Sequence, residues 1–156
     1  MTTLLYQEKQ HFQLLKILVI IIALIHFATL YAADLDESIN YAIGGVTIVV
    51  SLIIWLLFSF LKIRLDSEKL QLSFGLGFIS EEIYLKDIDK DSLRVEDISL
   101  ARGIGIRYDL KGNKTYNTRT GKAIRFTRKD KGKDFSFTSL ETEKLMQLLK
   151  NELEKQ

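Results

Sequence analysis

The chain has 156 residues with 22 Lys and Arg against 20 Asp and Glu, a near balance that hides a sharp separation of apolar from charged segments. It has no cysteine and no proline, which excludes disulfides, thiolate metal sites, cysteine nucleophiles and proline kinks. Its two histidines, His11 and His26, both precede residue 27, so the remainder can build neither a His-based metal centre nor a Ser–His–Asp triad.

In chain order, residues 1–13 read as a short cytoplasmic N-terminal segment. Ile17 to Ala33 holds no Asp, Glu, Lys or Arg, and with Leu14, Leu15 and a snorkelling Lys16 it is long enough to span as a helix over 14–33. Ser38 to Leu61 is a second such run of 24 residues, about 36 Å as a helix, against a hydrocarbon core of about 30 Å. Only Asp34-Leu35-Asp36-Glu37 separates the two, which predicts an antiparallel transmembrane hairpin over 14–61. Lys9 and Lys16 flank the first helix, Lys62, Arg64 and Lys69 follow the second, and the link is acidic. The positive-inside rule then puts both termini in the cytoplasm of a cell whose inner membrane holds the hairpin. Tyr31 and Tyr41 fall near the outer interface, where amphipathic rings are favoured. A cleaved signal peptide over 1–33 fits less well, because Glu8 sits in the n-region and Leu30 or Tyr31 would occupy the −3 position. Ala28, Ala32, Gly44, Gly45, Thr47 and Ser51 are small or hydroxylated and are expected to pack the helices together. His26 has no acidic partner at depth, so a hydrogen bond across the hairpin or to another protomer is expected rather than a proton relay.

Residues 62–156 change to a period of two. Ile63 and Leu65 alternate with Lys62, Arg64 and Asp66, and Leu70, Leu72 and Phe74 follow the turn Asp66-Ser67-Glu68. Gly75 and Gly77 mark a turn before a strand over Phe78 to Leu85. Leu93 to Val95 and Ile104, Ile106, Tyr108 continue the pattern more weakly, and Lys111-Gly112-Asn113 is a turn. Ala123 to Lys129 and the strand with Phe135 and Phe137 flank the hairpin turn Asp130-Lys131-Gly132-Lys133. The period then becomes helical, with Leu145, Leu148, Leu149 and Leu153 on one face. Thr138-Ser139-Leu140-Glu141 has capping-box spacing, with Thr138 as the cap. The fold class expected is a membrane helical hairpin plus an α+β soluble domain of about seven antiparallel strands closed by a C-terminal helix, an order that matches a PH-like split barrel.

Gly103-Ile104-Gly105-Ile106-Arg107, Tyr116-Asn117, Gly121-Lys122-Ala123-Ile124, Phe137-Thr138 and Leu145, with Tyr6 to Phe12 ahead of the first helix, resemble the bacterial PH-domain-containing membrane proteins of uncharacterised role. The resemblance covers nearly the whole chain and implies two N-terminal transmembrane helices followed by a PH-like domain. Ile104 stands where many relatives have Trp, and relatives often carry a Pro near Thr142.

No enzyme is expected. Gly103-x-Gly105 lacks the Gly-Lys-Ser/Thr of a phosphate loop and reads as a turn. Asp87, Asp89 and Asp91 start like a calcium loop, but no Gly and terminal Glu follow at the right spacing. No cofactor and no nucleic acid are expected. Charge is the most informative remainder: Asp66 to Asp97 holds nine acids and four bases, and Arg102 to Lys133 holds eleven bases and two acids. Arg119, Lys122, Arg125, Arg128, Lys129, Lys131 and Lys133 are the residues expected to meet anionic phospholipid headgroups or a protein partner. The expected function is a membrane-anchored binding or scaffold module. Its targets would be anionic headgroups, a protein partner or copies of itself through exposed sheet edges. The alternative is a subunit or assembly factor of a larger membrane complex, with the hairpin as its interaction surface.

Overall fold

The structure, a computed structural model, describes residues 3–32, 36–99 and 104–156. Its first element is a strand, β1 (Leu4–His11), in the stretch expected as a separate N-terminal segment. Tyr6, Glu8 and Gln10 are buried and alternate with exposed Gln7, Lys9 and His11. The period of two is present, but two of its inward positions are polar, so hydrophobic periodicity does not reveal it.

One residue, Phe12, separates β1 from α1 (Gln13–Ala32), and one residue, Ser59, separates α2 (Glu37–Phe58) from β2 (Phe60–Asp66). β1 and β2 pair antiparallel from His11 opposite Phe60 to Leu4 opposite Asp66. The Phe12 amide donates to the Ser59 carbonyl at 3.0 Å, which carries the ladder up to the helix junctions. Both helices therefore leave the same end of the β domain. At 20 and 22 residues they are about 30 and 33 Å long. Both are long and apolar enough to cross a membrane, and almost none of their residues is buried. α2 stops short of the expected Leu61 because Phe60 and Leu61 are claimed by β-pairing with His11 and Gln10.

β3 (Lys69–Phe74) and β4 (Ile79–Tyr84) complete an antiparallel sheet in the order β1-β2-β3-β4. The β2–β3 turn is set by Asp66, whose Oδ1 accepts from the Glu68 and Lys69 amides at 2.8 Å. The β3–β4 turn sits at the helix-bearing end. There the Gly75 amide donates to the Phe60 carbonyl at 2.8 Å. Gly75 has φ +50, and a Cβ on it would stand 2.0 Å from the Leu56 carbonyl oxygen. Only glycine lets this turn close against the last turn of α2.

Two short 3₁₀ turns, Leu85–Asp87 and Lys90–Ser92, lead to the second sheet. Asp89 accepts from the Asp91 amide, so this acidic stretch caps its own turn. The second sheet runs β5 (Arg94–Ile98), β8 (Gly121–Arg128), β9 (Lys133–Thr138), β7 (Lys114–Asn117), β6 (Gly105–Tyr108). β7 and β9 are parallel and the other pairs antiparallel. Gly103 lies outside the described residues, and Gly105 opens β6 with φ +106. The described residues thus form nine strands in two open sheets, where about seven antiparallel strands were expected. β1 and β7 make the difference. β7 has one inward apolar side chain, Tyr116, with Lys114 on the same face, and pairs by tertiary proximity to β9, which no local pattern signals.

The core lies between the sheets. Leu61, Ile63, Leu65, Leu70, Leu72 and Phe74 face Ile124, Phe126, Phe135 and Phe137. Each such side chain contributes about 1.5–3 kcal/mol by leaving water. An aromatic row runs from the helix to the far sheet: Phe58 to Phe74 at 5.9 Å, Phe74 to Tyr116 at 5.4 Å, and Tyr116 to Phe135 at 5.4 Å. α3 (Thr142–Glu154) lays buried Leu145, Leu149 and Leu153 on this core, with Leu148 half-buried beside them. The expected capping box is not formed. Thr138 stays in β9 opposite Ala123, and the helix starts four residues later behind Glu141, which makes no side-chain cap bond.

Gly75→Ala is expected to destabilise the domain by about 2 kcal/mol or more, some 10 °C in Tm, because it meets both a positive φ and a backbone oxygen. Thermal unfolding of the full chain in mild detergent checks this. Gly77 has φ +97 but no atom within 4 Å of an added carbon, so Gly77→Ala should carry the backbone strain without the clash and cost less than Gly75→Ala.

Candidate functional site

The seven basic residues singled out by the charge run do not form one patch. β8 starts beside the helix-bearing end, where Ala123 opposes Thr138, and ends at the far tip, where Arg128 opposes Lys133. Lys122 and Arg128, six residues apart on an extended strand, are therefore about 20 Å apart. Arg119 and Lys122 belong to the near end, and Lys129, Lys131 and Lys133 to the far tip.

Most of these charges are also answered locally. Arg125 bonds Glu96 at 3.0 Å and Asp134 at 2.8 Å. Arg128 bonds Glu81, and Asp130 at 2.7 Å. Lys122 pairs with Glu143, and Lys131 stands 3.4 Å from Glu81. Glu81 also takes Lys114 at 2.5 Å, so one half-buried carboxylate gathers three bases. Burial raises the Glu81 carboxyl, and the Lys114 and Arg128 bonds outweigh this and hold it below the usual carboxylate range. Among the described residues Arg119, Lys129 and Lys133 make no ion pair.

The helix-bearing end holds a buried polar network that the sequence does not announce. Glu8 accepts from Tyr6 at 2.5 Å, from Gln10, from Ser139 at 3.0 Å and from the Leu140 amide at 3.1 Å. Gln10 donates to the Thr138 carbonyl at 2.6 Å and accepts from Thr118 at 2.6 Å. These bonds tie β1 to β9 and to the β7–β8 loop. Burial, then the bond to Glu8, pushes the Tyr6 phenol well above its usual value.

Above this floor lies a cleft of about 630 Å³ between the end of β1, the first turn of α1 and the β7–β8 loop. Lys9, His11 and Arg119 line it with Leu14, Ile104 and Leu140, and among the described residues no acid lines it. Lys9 holds its amine 3.8 Å over the Phe60 ring. Arg119 has a single bond, from Nε to the Thr120 carbonyl at 3.4 Å. A second cleft, on the outer face of the second sheet, is lined by Glu96, Arg107, Arg125 and Asn117. The Asn117 amide is buried there with neither atom bonded, and the Arg125 charge is already balanced by Glu96 and Asp134. Among the described residues no group of three His, Cys, Asp or Glu is close enough to hold a metal ion.

In the helical hairpin, the small residues divide by helical phase. Gly44 faces α1: a Cβ there would lie 3.7 Å from His26 Nε2 and 3.9 Å from Leu30. Thr47 stands 3.4 Å from His26 Nδ1, the cross-hairpin bond expected of this histidine, and Ser51 is half-buried on the same side. Gly45 and Ala28 face outward, and Gly45 has nothing within 4 Å of an added carbon. The Ala32 side chain lies outside the described residues.

Glu81→Gln is expected to cost about 3 kcal/mol, because it leaves Arg128 and Lys114 partly buried without their shared carboxylate. A carboxyl held low in the folded state contributes stability above its unfolded value of 4.5 and loses it as pH falls through the folded value. Wild type should therefore lose stability on acidification below about pH 4.5, and the variant should lose less over the same range; Tm against pH for both checks this. No protein-family model matches the chain, and no curated protein matches its sequence.

Proposed function

We propose that the chain is a two-span inner-membrane protein whose β domain, a PH-like module, is held against the cytoplasmic face and acts by binding, with anionic phospholipid headgroups as its first ligand. The observation that carries this reading is the pair of one-residue junctions at Phe12 and Ser59, bridged by β1–β2 pairing. A domain attached this way cannot swing on a tether, so one particular end of it meets the bilayer. That end is chemically suited to the contact. Leu76 and Phe78 in the β3–β4 turn are exposed, at 64% and 79%, beside the last turn of α2. Large apolar side chains that continue a transmembrane helix surface belong in the interface rather than in water. The PH-like description rests on two β-sheets packed around a core that one amphipathic C-terminal helix covers. β1 and the parallel β7–β9 pair depart from the simple seven-stranded form. The acidic link and the Lys and Arg flanking both helices support cytoplasmic termini.

The chain has no cysteine, so single cysteines at Phe78 and Leu110 can carry an environment-sensitive fluorophore in the full-length protein in liposomes. Leu110 lies in the β6–β7 turn at the opposite end and is fully exposed. The label at Phe78 should report an apolar setting and be quenched by spin-labelled lipid, and the label at Leu110 should report water. Equal hydration at the two positions overturns the proposed seating.

One observation favours a second reading, a subunit that assembles through its hairpin. The outward Gly45 leaves an open notch on α2 suited to close approach of another helix. On that reading Gly45→Leu abolishes self-association or partner retention in mild detergent and leaves the monomer folded, whereas Gly44→Leu strains the hairpin itself. Unchanged assembly in Gly45→Leu removes this reading.

A further inference from the structure

Building on the membrane-anchored reading, we infer that the cleft beside the first turn of α1 seats one anionic phospholipid headgroup, with its phosphate on Arg119 and its acyl chains running along α1 from Leu14. The cleft is at the right depth. Leu14 is in the first turn of the first span, where a headgroup layer would meet the protein. Its charged lining is one-sided: Lys9 and Arg119 line it, with the His11 ring beside them, and no acid does so among the described residues. The nearest buried carboxylate, Glu8, has both oxygens engaged by Tyr6, Gln10, Ser139 and the Leu140 amide.

Arg119 is presented for capture. Its Nε makes one long bond to Thr120, and its two terminal nitrogens bond nothing among the described residues. A guanidinium fork of this kind matches a phosphodiester. The loop that carries it is fixed, because neighbouring Thr118 is buried and bonded to Gln10 at 2.6 Å. The volume, about 630 Å³, suits a headgroup with the start of its chains. The apolar wall selects a lipid over free phosphate: Leu14 and Leu140, 46% and 52% exposed, would otherwise stay in water beside a soluble ion.

The test uses the full-length protein in mild detergent, titrated with short-chain phosphatidylglycerol or phosphatidylcholine and read by native mass spectrometry. Wild type should retain one phosphatidylglycerol in preference to phosphatidylcholine. Arg119→Glu should weaken that retention about tenfold or more, as expected for loss of a charge-assisted hydrogen bond. Arg119→Lys should keep part of it, and Lys133→Glu at the far tip should not matter. Equal retention of the two lipids, or of phosphatidylglycerol by wild type and Arg119→Glu, overturns the inference. Displacement of the bound lipid by inorganic phosphate at similar concentration also overturns it, by assigning the cleft to a free anion. Resistance of wild type and variants to alkaline extraction from membranes is measured in parallel. Extraction of the wild type removes the membrane-anchored reading itself, whereas unselective lipid retention by a protein that resists extraction removes only the cleft assignment.

Discussion

The pairing of β1 with β2 is the constraint on which the rest of the molecule depends. A helical hairpin of 42 helical residues is inserted between two strands that then zip together along their whole length. The ladder reaches the helix junctions through the Phe12–Ser59 bond, so the ends of α1 and α2 share the geometry of an antiparallel strand pair, about 5 Å apart. The hairpin and the β domain are one continuous structure. Gly75 adds a second contact, where the β3–β4 turn presses on the backbone of α2, and Phe58 adds a third, the first ring of a row that ends in the far sheet.

That constraint also explains why Glu8 and Gln10 are buried. β1 is an edge strand, and it closes over the end of the second sheet with polar rather than apolar side chains. Each inward group is bonded, which makes the burial tolerable: Glu8 has four donors, and Gln10 donates to Thr138 and accepts from Thr118. The network turns an exposed edge into a floor under the cleft and ties three distant segments of sequence, near residues 8, 118 and 139, to one place. An isolated fragment beginning at Lys62 would lack this edge and this floor.

Electrostatics in the domain are mainly internal. The acidic segment before residue 98 and the basic segment after residue 101 are adjacent in the chain but complementary in the fold: Glu81 meets Lys114, Arg128 and Lys131, and Glu96 meets Arg125. A run of like charge in sequence thus became a set of cross-sheet pairs. Of the seven bases singled out in the sequence, Arg119, Lys129 and Lys133 make no ion pair among the described residues and lie at opposite ends of the domain; Arg119 alone of these faces the helix-bearing end.

Elements whose signal is local are legible in the order of residues alone. Two long uncharged runs must be apolar helices, the alternation of Ile63, Leu65, Leu70, Leu72, Phe126, Phe135 and Phe137 must be strands with one buried face, and the spacing of Leu145, Leu149 and Leu153 must be a helix lying on that face. Everything that depends on a distant partner came from the fold. β1 and β7 became strands because β2 and β9 offered free edges, and Thr138 was held in β9 instead of capping a helix. Gly44 and Gly45 were parted by 100° of helical phase, which puts one in the hairpin and the other outside it. The basic residues were sorted into paired and unpaired by where the acidic strands came to lie. Periodicity records which way a side chain points relative to its neighbours in the chain, and it holds no record of what stands opposite.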